Sequence, residues 1–117
     1  MTGDKIKVII KRPDEKYGHV TNITNTLENL QKTVGGYIQA VFPWDDPVAL
    51  ICDEEGLLKQ SMFNRIVAPE VAIFGTFFLC GLDEEDFSDL PDDLLEKYSK
   101  LLHEPQFLLH TLRGSRI

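Results

Sequence analysis

The side chains best suited to chemistry in this 117-residue chain are two cysteines, three histidines, a run of acids and one arginine set among polar neighbours. Cys52 runs directly into Asp53-Glu54-Glu55, and adjacent negative charge raises a thiol's pKa, the opposite of what a nucleophile needs. Cys80 lies in an apolar run. Both cysteines therefore read as reduced thiols that behave as small buried hydrophobes. His19, His103 and His110 are isolated from one another and from the cysteines, so no metal-ligand spacing arises, and neither a metal nor a cofactor is expected. His103 and His110 would share a helix face only if Glu104-Pro105 did not intervene. Gly35-Gly36 closes a helical pattern instead of opening one, and no Lys-Ser/Thr follows it, which argues against a phosphate loop. No Ser or Cys is marked as the partner of a His and an orienting carboxylate, so the expectation is a protein that is not an enzyme.

Between Asp83 and Glu96 stand eight acids and no base. The alternating ligands and central glycine of a calcium loop are missing from this run. Its carboxylates at Asp83, Glu84, Glu85, Asp86, Asp89, Asp92 and Asp93 suit one of two roles. They either solubilise the start of a helix or form a decoy surface that mimics DNA phosphates before a DNA-binding host enzyme. The whole chain carries 19 acids against 12 bases, a net charge of −7 that repels a nucleic-acid backbone, so no direct nucleic-acid binding is expected. Only Lys5, Lys7, Lys11, Arg12 and Lys16 could make a local basic face. The hydrophobic share of 43% fits one core and one domain over residues 1–117. The longest apolar stretch, Val71–Leu82, is broken by Gly75, Thr76 and Gly81 and falls short of the roughly 18 residues of a membrane span. Without a basic-then-apolar leader the chain is expected to stay in the cytoplasm that made it, away from membranes.

The elements that must position these residues follow from periodicity. Lys5–Lys11 alternates polar and apolar residues and ends β-branched, as a half-buried strand does, and Gly18–Ile23 supplies a second strand. Asn25 or Thr26 offers an N-cap to a helix whose apolar stripe is Leu27, Leu30 and Val34, with Gly35 at its C-terminal cap. Tyr37–Phe42 reads as a strand, followed by a breaker-rich loop around Trp44. Val48–Cys52 is an apolar run of the kind covered on both faces, and Asp53–Gly56 makes the turn after it. No single period emerges over Leu57–Ile66. Val71–Cys80 reads as one strand in mid-sheet. A helix starts near Pro91 with Leu94, Leu95, Tyr98, Leu101 and Leu102 on its apolar side, and Phe107, Leu108, Leu109 and Leu112 suit a last short helix. The fold expected is α+β, a mostly antiparallel sheet with helices packed on one face and an order of roughly β-β-α-β-β-β-α-α.

Four short blocks in order, Val34-Gly35-Gly36-Tyr37-Ile38, Cys52-Asp53-Glu54-Glu55-Gly56, Asn64-Arg65 and Ile73-Phe74-Gly75-Thr76-Phe77-Phe78, resemble a family of domains of unknown function encoded by bacteriophages, plasmids and conjugative elements. The resemblance covers about residues 5–82 and leaves an acidic, helical part over about 83–117. Asp53 stands where the family pattern carries Asn. The resemblance implies an accessory protein of a mobile element acting in the cytoplasm of a bacterial host, and countering host defence is a role that the expected function leaves open to it.

The polar members of those blocks are the candidate ligand-binding set: Tyr37, Glu54, Glu55, Asn64, Arg65 and Thr76. Arg65 brings a rigid fork of donors for carboxylate or phosphate, and Tyr37 a ring on which a base stacks. Convergence at one end of the sheet would suit a small nucleotide-like anionic ligand. The plainer alternative has Arg65 paired with Glu54 or Glu55, Tyr37 packed and Asn64 capping a turn. The function expected is a non-catalytic protein that holds a host partner protein or such a ligand. Strand edges and the apolar Phe107–Leu112 segment leave room for a homodimer.

Overall fold

The structure, a computed structural model, describes residues 2–84 and 86–103. The elements run β1 (Lys5–Lys11), β2 (His19–Thr24), α1 (Leu27–Val34), β3 (Ile38–Val41), β4 (Val48–Asp53), β5 (Phe63–Ala68), β6 (Val71–Phe74), β7 (Phe77–Asp83), β8 (Asp86–Ser88) and α2 (Asp92–His103). The expected last helix at Phe107–Leu112 lies outside the described residues, as do Glu85 and His110.

Six strands form the main sheet in the order β2-β1-β7-β4-β3, with β8 alongside β7, and every pairing is antiparallel. Leu79 at the centre pairs with Ile9 on one side and Leu50 on the other. Successive strand residues point to opposite faces, so the apolar run of β4 serves both. Val48, Leu50 and Cys52 face one core with Phe77 and Leu79, whereas Ala49 and Ile51 face the other with Phe78 and Cys80. Burying each such Leu, Ile or Phe contributes about 1.5–3 kcal/mol.

This two-sided burial corrects the expectation that both helices share a face. α1 lays Leu30 and Val34 on the Ile6, Val8, Ile10 and Ile51 side, while α2 lays Leu94, Tyr98 and Leu102 on the Ile9, Leu50 and Phe77 side. A strand that is apolar on both faces needs cover on both, and an amphipathic stripe does not say which side it takes. Thr26 is the cap residue of α1, its Oγ1 accepting the Asn29 N–H at 3.2 Å. Gly35 ends that helix at φ 88°.

The second correction concerns Val71–Cys80, expected as one strand. Gly75, at φ 84°, breaks it into β6 and β7, which belong to different sheets. β6 pairs with β5 in a two-stranded ribbon that lies on the α2 side and sends Val67 and Ile73 into that core. β5 arises in the stretch without a clear period. The observed order thus carries six strands between the helices where three were expected. No helix among the described residues is long and apolar enough to cross a membrane.

Candidate functional site

Antiparallel pairing puts the end of β1, the start of β7, the end of β4 and the start of β3 at one end of the sheet, since Lys11 pairs with Phe77, Ile51 with Phe78 and Ile38 with Asp53. Tyr37, Glu54, Glu55, Asn64 and Thr76 all flank that end. They divide into two separate clusters there.

The first cluster is a clasp around Asp53. Its Oδ1 accepts the Glu55 N–H at 2.9 Å and its Oδ2 takes the Lys59 ammonium at 2.9 Å. Lys59 also donates to the Gly35 carbonyl, and the carboxylate beside it raises its pKa. A Cβ on Gly36 would lie 2.6 Å from both Asp53 Oδ1 and Lys59 Nζ, so this position leaves room for the ion pair. A Cβ on Gly56 would lie 2.6 Å from the Phe74 carbonyl oxygen, which is how closely the turn approaches β6. Tyr37 is exposed, and its carbonyl accepts the Glu54 N–H at 2.8 Å. The side chains of Glu54 and Glu55 face solvent.

The second cluster is a knot around Lys11, which is only 3% exposed. Its ammonium donates to the Arg12 carbonyl at 2.8 Å, the Glu15 carbonyl at 2.5 Å and Asn64 Oδ1 at 3.1 Å. Burial lowers its pKa, and the nearby Glu15 charge only partly opposes that. Asn64 Nδ2 donates in turn to the carbonyls of Lys11 and Gly75, at 2.8 and 2.9 Å. Thr76 is half-buried beside Gly75 where the ribbon passes into β7. Arg65 turns toward the last turn of α2, donating to the Ile66 and Leu102 carbonyls. The knot fastens the ribbon to the main sheet, and the clasp ties the loop between β4 and β5 to the turn after α1.

Two clefts open on the α2 side. One, of about 520 Å³, is lined by Trp44, Asp46, Lys97, Tyr98 and Lys100 among others. Here Asp46 accepts from Lys97 Nζ at 2.6 Å and Tyr98 Oη at 2.7 Å, bonds that lower its pKa. Burial, with help from that carboxylate, raises the Tyr98 phenol. The other is a groove of about 340 Å³ between the β3–β4 edge and β6, lined by Gln39, Val41, Leu57, Val71, Ile73 and Phe74 with Asp53, Glu54 and Glu70. Of the six candidate residues, only Glu54 lines this groove.

Sequence reasoning passed over the apolar side chains around the groove. Leu57, Leu58, Met62 and Phe63 are exposed, Leu58 by 82%, and so are Tyr37 and Phe42 at the two ends of β3. The signal was an apolar pair inside a turn that fits neither a helical nor a strand period. The two thiols sit as expected, pushed up by burial to about 11 at Cys52 and about 12 at Cys80. In the acidic run, Asp83, Glu84, Asp92 and Asp93 are exposed. Asp86 accepts from Asn25 Nδ2 and the Phe87 N–H, and Asp89 accepts the Lys7 N–H at 2.7 Å.

The fold and these clusters define a small antiparallel α+β domain whose buried polar residues hold a ribbon in place. The chain belongs to the DUF3846 family, a domain of unknown function, whose model matches residues 6–103. No curated protein and no solved structure matches it.

Proposed function

We propose that this domain acts by binding, as a non-catalytic accessory protein of a phage or other mobile element, and that it holds a host partner protein, with host defence as a process it counters. The supporting observation is the placement of exposed apolar surface. Of the ten large hydrophobic side chains exposed among the described residues, six fall in two stretches: Tyr37 and Phe42 flank β3, and Leu57, Leu58, Met62 and Phe63 run from the loop after β4 to the first residue of β5. Apolar surface concentrated in this way marks protein interaction sites. A small anionic ligand has less support, because Arg65 is engaged with backbone carbonyls and no cation lines the groove.

Leu57→Asp with Leu58→Asp tests the reading in a bacterial host. The double variant should lose the protein that co-purifies with the tagged wild type, while its melting temperature stays within a few degrees. A partner retained equally by both proteins sinks the proposal. Loss of that partner only on neutralising Asp83, Glu84, Asp92 and Asp93 would move the contact to the acidic decoy surface, and a nucleotide that raises the melting temperature would favour the ligand reading.

A further inference from the structure

β3 ends the main sheet, with no strand on its outer side among the described residues. The Glu54 N–H donates to the Tyr37 carbonyl, which makes positions 37 and 54 a hydrogen-bonded pair continuing the β3–β4 register. Hydrogen-bonded and non-hydrogen-bonded pairs alternate along an antiparallel ladder. Ile38 and Ala40 therefore point their N–H and C=O groups away from β4, into the open edge. The four residues of β3 span about 13 Å at about 3.3 Å each.

The groove beside this edge combines an apolar floor, from Val41, Leu57, Val71 and Ile73, with an acidic rim from Asp53, Glu54 and Glu70. Lys59 neutralises Asp53. Among the described residues Glu54 and Glu70 have no ion-pair partner, so the rim keeps a net negative charge. A second copy of this chain would bring the same carboxylates and a further charge of −7 against it, and like charges across a strand pair repel.

We propose that β3 and this groove receive one extended, basic segment of the partner protein as an added strand. This rests on the partner-protein reading and names its mode. Backbone groups of the segment pair with Ile38 and Ala40, alternate apolar side chains enter the groove, and Lys or Arg at its ends meets Glu54 and Glu70.

Amide hydrogen exchange of the labelled protein with the peptide acetyl-KTVTVTK-amide tests this. Saturable binding is expected, slowing exchange at Ile38 and Ala40 by about tenfold or more, with acetyl-ETVTVTE-amide at least about tenfold weaker, a difference of about 1.4 kcal/mol. Ala40→Pro removes an outward N–H at a position where an edge strand tolerates proline, and should abolish binding. Glu54→Lys with Glu70→Lys should reverse the peptide preference, and this exposed pair decides the matter alone if Ala40→Pro unfolds. No saturable binding at millimolar peptide, equal affinity for the two peptides, or protection away from β3 overturns the proposal, as does a wild-type dimer paired through β3. If Leu57→Asp with Leu58→Asp loses the host partner while Ala40→Pro and the charge-reversed pair keep it, strand addition fails and the partner reading survives.

Discussion

Two lysine-centred clusters, one holding the β5–β6 ribbon and one the loop that leads to it, solve the same problem in opposite ways. In the knot, a lysine that is 3% exposed meets three carbonyl oxygens and no carboxylate. In the clasp, a lysine with a side chain 43% exposed meets the carboxylate of Asp53. Deep burial penalises the ammonium, so the knot needs three acceptors held rigidly in register, and the loss of one leaves polar atoms unpaired in a dry site. In the clasp water reaches the Lys59 ammonium, and the Asp53 side chain, only 4% exposed, keeps the Glu55 N–H as a second partner, so the clasp loses less when its lysine changes. The difference teaches that polarity within a short sequence block does not distinguish a fastener from a contact residue. Asn64 fastens, whereas Glu54, ten positions earlier, faces outward.

Ways to break that contrast begin with its largest expected effect. Asn64→Ala removes one of the three acceptors of Lys11 and both donors to the Lys11 and Gly75 carbonyls, and should cost about 3 kcal/mol in urea denaturation. A loss below about 1 kcal/mol would erase the distinction. Gly56→Ala places a methyl group 2.6 Å from the Phe74 carbonyl oxygen and should cost about 2 kcal/mol. Asp53→Ala gives up the Lys59 pair and the Glu55 N–H bond for about 1 kcal/mol. Asp53→Asn, which keeps an acceptor, should lose less.

The two lysines should also respond oppositely to alkali. Lys11 has its folded-state pKa below the ordinary 10.5, so the unfolded chain binds more protons in that interval, and its contribution to stability improves as pH rises toward 10.5. Lys59 has its folded-state pKa above 10.5, so its contribution is complete below that pH and is lost as pH climbs further. Difference curves for Lys11→Met and Lys59→Met against wild type, recorded by chemical denaturation from neutral to strongly alkaline pH, should slope in opposite senses. The smallest effect belongs to the rim. Glu54→Gln and Glu70→Gln should change folding stability by less than about 0.5 kcal/mol, and a larger loss would make them fasteners too.

Much of the fold was legible in periodicity. The strands at Lys5–Lys11, His19–Thr24 and Val48–Asp53 and the two helices fall where alternation, caps and stripes put them. Side assignment was not legible, because the stripe of α2 has the same form whichever face of the sheet it covers. The break at Gly75 was hidden for a related reason. Val71–Cys80 is uniformly apolar and β-prone, and only the tertiary position of β5 shows that its first half pairs away from the main sheet. Sequence brought the candidate residues to one end of the sheet, but not into one pocket. Whether Asn64 turns to Lys11 or to a ligand depends on a neighbour 53 positions away, and local spacing carries no record of that. The exposed Leu57 and Leu58 stood in a stretch without a period, where no alternation or stripe says which side chains face solvent.

The central place of β7 has a consequence for how the chain reaches this state. β1 and β4 never pair directly, and β7 joins them through Ile9, Leu50 and Leu79. Until that strand arrives, the hairpin of β1 with β2 and the pair of β3 with β4 are separate pieces, each with an inner apolar edge unpaired. At about 5–20 residues per second of synthesis, the stretch from the end of β4 to the end of β7 takes a few seconds to emerge. Folding is thus a late closure over long sequence separations, inherently slow. During that interval the nascent chain presents two sticky edges, and a chaperone or a neighbouring ribosome's product is the first thing they can meet.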